Sequence, residues 1–240
     1  MNIIVCKDYI EMSHLAAERM AAQIKKKKQS VLGLATGSTP VGMYHNLIRM
    51  CNEGEISFAD ITTFNLDEYY PIAATHDQSY RYFMNTVLFE HIDIDIARTH
   101  VLDGECDDPV AECAAFDEAI EAAGGIDMLV LGVGSNGHIA FNEPSDSLIS
   151  GTHLATLTPQ TIADNSRFFE NGVNVPCQAL TMGMASIMHA RELLFLVNGA
   201  GKKEAVKAMF DDKITPQIPV TILKMHPNAT MLCTQDTMDE

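Results

Sequence analysis

"IDMLVLGVGSNGHIAFNEP", Ile126 to Pro144, decides the fold. Its first eight residues form a near-continuous apolar run, the composition of a strand buried on both faces of a parallel sheet. The run ends in Gly132-x-Gly134-x-x-Gly137, the spacing of a dinucleotide-binding turn. That fingerprint needs a helix after the glycines and an acidic residue about 20 positions further on. Pro144 stands seven residues past Gly137 and would cut such a helix short. Around residue 157 the sequence is "HLATLTPQ", without an acid, so the nucleotide reading is rejected. What remains is a strand and a glycine-rich turn that presents Asn136, His138 and Glu143 within eight residues.

Strand-like and helix-like segments alternate on both sides of that stretch. "NIIVC" (2–6) reads as a strand, and a helix follows from about Tyr9 to Lys28, with Ile10, Ala17, Ala21 and Ile24 on one stripe. Its basic end, Lys25 to Lys28, complements the helix dipole. "SVLGLA" (30–35) is a short buried strand, and Pro40 suits the first turn of a helix reaching about Cys51. "DITTFNL" (60–66) is the next strand, and a helix runs through "SYRYFMNTVLFEHI" (79–92). In "DDPVAECAAFDEAIEAAGG" (107–125), Asp108 caps a helix, Pro109 takes its first position, Cys113, Phe116 and Ile120 share a face, and Gly124 ends it. The strand "ELLFLVN" (192–198), the helix "KKEAVKAMF" (202–210) and a last strand at "ATMLCT" (229–234) complete the series. The alternation predicts an α/β fold: an open, mostly parallel twisted sheet with helices on both faces, as one domain over residues 1–240.

Composition narrows the function. Hydrophobic residues make up 47% of the 240 and charged residues 20%, ordinary for a globular protein. The net charge of −16 argues against nucleic acid, which requires neutralisation of phosphates by Lys and Arg. No apolar run approaches the roughly 18 residues of a membrane span. "MNIIVCKDYIEM" has four apolar residues and then charges, unlike a signal peptide. Six cysteines, with no C-x-x-C pair, read as scattered reduced thiols rather than disulfides or zinc ligands. A cytoplasmic protein is expected.

Ligands of open α/β sheets bind beyond the carboxyl ends of the strands. Four such ends carry candidates. Thr36-Gly37-Ser38-Thr39 precedes a helix and reads as a phosphate cradle or a hydroxyl-capped turn; without a P-loop lysine it does not suit a nucleoside triphosphate. Asp67-Glu68 reads as an exposed turn or helix cap when taken alone, and beside a phosphate site Asp67 becomes a candidate general base. Asn136, His138 and Glu143 form an acid/base candidate, because an amide and a carboxylate can set a histidine's tautomer and basicity. The same His and Glu could ligate a metal, but no third ligand is evident and no metal is expected. Gly199-Ala200-Gly201-Lys202 and Arg167 offer cations for an anion in this acidic chain.

Taken together, "LGLATGSTP" (32–40), "FNLDEY" (64–69), "GVGSNGHIAFNEP" (132–144), "NSRFF" (165–169) and the glycine-lysine turn at 199–202 resemble the glucosamine-6-phosphate deaminase family, in its order and over most of the chain. The related 6-phosphogluconolactonases share the Rossmann-like fold and the G-S-T-P turn. They carry an Arg after the Asp-Glu pair, where this chain has Tyr69, and a "GHTAS"-like stretch where it has "GHIAF". The resemblance implies conversion of glucosamine 6-phosphate and water to fructose 6-phosphate and ammonia in N-acetylglucosamine catabolism, with no cofactor. It implies that His138 opens the sugar ring, that Glu143 and Asn136 orient and tune it, and that Asp67 moves the C2 proton. Thr36, Gly37, Ser38, Thr39, Arg167 and Lys202 would hold the phosphate, and the loop glycines would bring the backbone close to the sugar. The alternatives are a sugar-phosphate lactonase and a phosphosugar-sensing module without turnover.

Two departures stand out. Many members have Asp where this chain has Asn136, so the pH profile of ring opening is expected to differ. Allosterically activated members carry basic residues where this chain has His153 and Ala155, together with a longer C-terminus. Simple saturation without an N-acetylglucosamine 6-phosphate activator is expected, and the resemblance leaves monomer or homo-oligomer open.

Overall fold

The computed structural model describes residues 1–166, 169 and 175–238. In chain order the elements are β1 (Asn2–Cys6), α1 (Tyr9–Lys26), β2 (Val31–Leu34), α2 (Val41–Asn52), β3 (Thr62–Asn65), β4 (Asp67–Tyr70), α3 (Tyr80–Val87), β5 (Thr99–His100), α4 (Pro109–Ala122), β6 (Met128–Leu131), β7 (His153–Thr156), α5 (Pro159–Ser166), β8 (Gln178–Thr181), α6 (Met184–His189), β9 (Leu193–Val197), α7 (Lys203–Phe210) and β10 (Ala229–Thr234). Short 3₁₀ turns connect several of them, including Ala200–Lys202 ahead of α7.

Seven strands form one sheet in the order β1-β10-β9-β6-β2-β3-β5, and every pair is parallel. β2, β6, β9 and β10 are buried along their whole lengths, which is why they read as unbroken apolar runs. The chain builds outward from β2 through β3 to β5, then returns to β6 on the other side of β2. α1 packs on α2 and covers β1, β9 and β10, and right-handed crossovers running in the two directions put helices on both faces of such a sheet. The reversal leaves a crevice between the carboxyl ends of β2 and β6, where the two connections diverge.

α1 and α4 begin as their sequences predict. The Asp8 side chain caps α1 by accepting from Glu11 N at 2.9 Å, and Asp108 caps α4 by accepting from Val110 N and Ala111 N. α1 buries Met12, Ala16, Ala17, Met20, Ala21 and Ile24, but Ile10 is 77% exposed and does not belong to that face. Ile10 sits on the outer side of the first turn, whose inner side carries the fully buried Met12. α1 ends at Lys26, and Lys27 instead pairs with buried Asp127 at 2.7 Å.

A second sheet was not expected. β4, β8 and β7 form a three-stranded antiparallel sheet, with Asp67 opposite Thr181 and Thr181 opposite His153. It has its own apolar cluster, which includes Tyr69, Phe141, Leu157, Phe169 and Ala179. Among the described residues no helix is long and apolar enough to cross a membrane.

Candidate active site

A cavity of about 770 Å³ opens at the carboxyl ends of the parallel strands. Every turn singled out in the sequence reaches it: Thr36 to Thr39 after β2, Asp67 after β3, Gly132 to Ser135 and His138 after β6, and Asn198, Gly199, Gly201 and Lys202 after β9. Arg167 lies outside the described residues.

Asp67 and Glu68 part company. They form neither a turn nor a helix cap of their own chain segment; they begin β4, where successive side chains point to opposite faces. Asp67 lines the cavity, is only 7% exposed, and accepts no hydrogen bond among the described residues. Burial, with the neighbouring Glu68 charge, pushes its carboxyl up to about 8. A desolvated, unpartnered carboxylate is a strong base for its kind. Glu68 points away from the cavity. Its carboxylate accepts from Ser79 Oγ at 2.7 Å, Tyr80 N at 2.8 Å, Tyr69 N at 2.9 Å and Arg81 N at 3.0 Å, at the N-terminus of α3.

His138, Asn136 and Glu143 form a directed chain. Glu143 Oε2 accepts from Asn136 Nδ2 at 2.9 Å, and a carboxylate only accepts. That fixes the amide with Oδ1 towards His138, at 2.7 Å from Nδ1. Nδ1 therefore carries the hydrogen and donates, and Nε2 keeps a free lone pair. Although burial alone raises Glu143, its bonding and attraction to His138, with bonds from Thr161 and Asn136, hold its carboxyl at about 2. His138 Nδ1 itself lies 3.5 Å from Glu143 Oε2, so the shorter contact to Asn136 orients the ring.

One loop glycine serves this ring. A Cβ on Gly134 would sit 2.1 Å from His138 Cε1, so its bare backbone seats the imidazole. A Cβ on Gly132 would meet nothing within 4 Å, and Gly132 lines the open cavity. Ala140 also lines the cavity, with φ of 51°, a left-handed conformation that costs a non-glycine residue on the order of 1 kcal/mol. Phe141 N donates to Thr181 Oγ1, and Asn142 Nδ2 donates to Met182 O, so β8 holds this backbone in place.

The turn after β2 departs from a capped turn. α2 begins at Val41 with Pro40 in the cap position and no side-chain cap. The hydroxyls of Thr36, Ser38 and Thr39 make no hydrogen bond among the described residues, while Gly37 bends the chain at φ of 87°. Tyr9 braces the turn from α1: its hydroxyl donates to Ser38 O at 3.0 Å and accepts from Gly42 N at 2.8 Å. Three hydroxyls and a helix N-terminus thus face the cavity, suited to an anion. Lys202, across from them, adds positive charge.

Sequence reasoning missed the residues from α5 and the second sheet. Thr158 N and Oγ1 both donate to Glu143 Oε1, Thr161 Oγ1 lies 3.4 Å from His138 Nδ1, and Ser135 Oγ donates to Asp164 at 2.5 Å. Asn165 Nδ2 donates to the hydroxyl of Tyr69, which sits on β4 two residues after Asp67. "TPQT" (158–161) held the available signal, a hydroxyl before a proline at a helix start. Among the described residues no group of three or more His, Cys, Asp or Glu is placed to hold a metal.

Comparison with known proteins identifies the family. The sequence profile of the glucosamine-6-phosphate isomerases/6-phosphogluconolactonase family matches residues 9–232. The chain is 51% identical over 236 residues to the glucosamine-6-phosphate deaminase of Clostridium perfringens strain 13, covering 98% of each chain. It is 47% identical to that of Thermoanaerobacter pseudethanolicus, over 97% of this chain and 92% of the relative. Among solved structures, a monomeric glucosamine-6-phosphate deaminase superposes with a TM-score of 0.96 at 40% identity, covering 99% of this chain and 98% of the other. The 6-phosphogluconolactonase of Thermotoga maritima shares the fold at a TM-score of 0.74 and 21% identity, over 97% and 98% of the two chains. The chain belongs to the glucosamine-6-phosphate isomerase/6-phosphogluconolactonase family, and within it to the glucosamine-6-phosphate deaminases.

Proposed function

We propose that the deaminase reaction of this family, glucosamine 6-phosphate and water to fructose 6-phosphate and ammonia, is divided between the two strand tips that face the cavity. His138 Nε2 takes the proton of the anomeric hydroxyl and returns it to the ring oxygen, which opens the pyranose. Asn136 and Glu143 hold the tautomer that makes this possible. Asp67 then removes the C2 proton while the substrate's ammonium gives a proton to O1, leaving a neutral enolamine, and the same carboxyl delivers its proton to C1. Water adds to the resulting C2 iminium and ammonia leaves, forming the ketose. Thr36, Gly37, Ser38, Thr39 and Lys202, with Arg167, hold the phosphate.

The observation that carries this reading is the convergence on one cavity of a buried Asp67, which accepts no hydrogen bond among the described residues, and an Asn136–Glu143-oriented His138. Ammonia release from glucosamine 6-phosphate tests it. Asp67→Asn is expected to lose on the order of 10³-fold in kcat, because the amide cannot take the C2 proton. Wild-type protein that binds the sugar without releasing ammonia would instead favour a sensing module. The 40% identity to a monomeric deaminase supports a monomer, and six free cysteines with a small metabolic substrate support the cytoplasm.

A further inference from the structure

We propose that Glu68 is a positioning residue for the C2 proton step: anchored at the N-terminus of α3, it turns Asp67 into the cavity and sets the charge beside it. The proposal rests on the reading of Asp67 as the base.

The geometry comes first. In a strand, the side chain following a cavity-facing residue points to the opposite face, so whatever fixes Glu68 fixes the rotation of β4 at Asp67. Glu68 is 1% exposed and takes four donors, two of them the first backbone N–H groups of α3. Those groups have no partner within the helix, and their dipoles favour a negative charge. The anchor therefore ties β4 to α3 as well as to its own backbone.

Charge comes second. Arg81 supplies Glu68 with its backbone N–H, but its guanidinium turns to Thr99, donating to Oγ1 at 2.8 Å and to the carbonyl at 2.9 Å. No ion pair forms on Glu68 among the described residues; its charge is balanced by hydrogen-bond donors and, at longer range, by the Arg81 guanidinium. The carboxylate still acts on Asp67, one residue away, and raises it. The other titratable or charged groups lining the cavity with Asp67 are Tyr69 on its own strand, Asp77 ahead of α3, Tyr80 of α3, His138 after β6, Asp164 of α5 and Lys202 ahead of α7, with Arg81 behind, near Glu68. Glu68 is the negatively charged group next to Asp67 in the chain, and its charge acts on Asp67 directly. Its Coulomb effect raises Asp67, as burial does more strongly, and a stronger base removes a carbon-bound proton faster.

Glu68→Gln keeps the shape and removes the charge. The acid limb of kcat/KM is expected to move to lower pH by about one unit, with kcat on the plateau reduced several-fold. Exchange of the C2 hydrogen with deuterated solvent should fall in parallel. A folded Glu68→Gln protein whose limb and kcat match the wild type overturns the proposal. Should that variant not fold, Ser79→Ala carries the test, since it removes one of four donors and keeps the charge. It is expected to lower kcat and C2 exchange with the limb unmoved; wild-type kcat there overturns the proposal as well. Asp67→Asn separates the two readings. If that variant still exchanges the C2 hydrogen, Asp67 is not the base. If it does not, while Glu68→Gln behaves as wild type, only the role of Glu68 fails.

Discussion

Asp67 is held in a state that an isolated carboxylate avoids. Its ordinary value near 3.8 is pushed to about 8 by burial and by Glu68. Two consequences follow with opposite signs. As a base it must be ionised, so kcat/KM should rise with pH towards about 8, and Asp67→Asn should lose this limb. In the free energy of folding, the native protein binds more protons than the unfolded chain between those two values. Stability contributed by this group is thus complete below about pH 4 and is lost as pH rises through about 8. Melting curves of Asp67→Asn should show a gain over wild type that is larger at about pH 8.5 than at about pH 4. An equal difference at both values would contradict the assignment. Asn136 sets a second residue-level question. Its amide donates to Glu143 and accepts from His138, and an acid cannot do both without a proton. Asn136→Asp places a like charge beside Glu143 and favours the imidazolium. The pH limb belonging to ring opening is expected to move upward, and an unchanged kcat/KM profile would count against the relay described above.

At the scale of elements, the decisive feature is how loops are seated on strands. The glycine spacing after β6 is legible in the sequence, but its purpose is not. Gly134 is bare because the His138 ring lies on it, a contact between residues four apart whose geometry depends on the whole turn. Gly134→Ala is expected to lose on the order of 10²-fold in kcat/KM through displacement of the ring, measured by ammonia release. Near-wild-type activity would mean the imidazole tolerates a shifted seat. β2, β6, β9 and β10 were readable because both of their faces are buried, whereas the two-residue β5 was not predicted. β7 and β8 were not, because "HLAT" and "QALT" are four residues long and pair with partners far along the chain, such as Asp67 with Thr181. Nothing local marks such a strand, and the adjacent carboxylates of β4 accordingly read as a turn.

At the scale of the whole molecule, the topology explains why separate motifs make one site. The reversal of strand order at β2 and β6 opens a crevice, and the antiparallel sheet leans Asp67, Tyr69 and the His138 loop over it. The same sheet bears on regulation. His153 and Ala155 lie on β7, where His153 Nδ1 bonds to Gly151 O and Ala155 is buried. Neither presents the fixed positive charge that a phosphate effector requires there. Rate against glucosamine 6-phosphate concentration should be hyperbolic and insensitive to N-acetylglucosamine 6-phosphate; a sigmoidal curve relaxed by that compound would refute the expectation.

By itself, the sequence determined the α/β class, most of the parallel strands and the strand-end turns that reach the cavity. Burial on both faces, capping and strand-end turns are local in their demands, and each leaves a pattern in neighbouring residues. Only the tertiary structure decided that Asp67 serves the cavity while Glu68 anchors a helix, which nitrogen of His138 is free, and that α5 closes the network around Glu143. Those outcomes depend on contacts between segments distant in the chain, and on the desolvation that appears only once the segments meet.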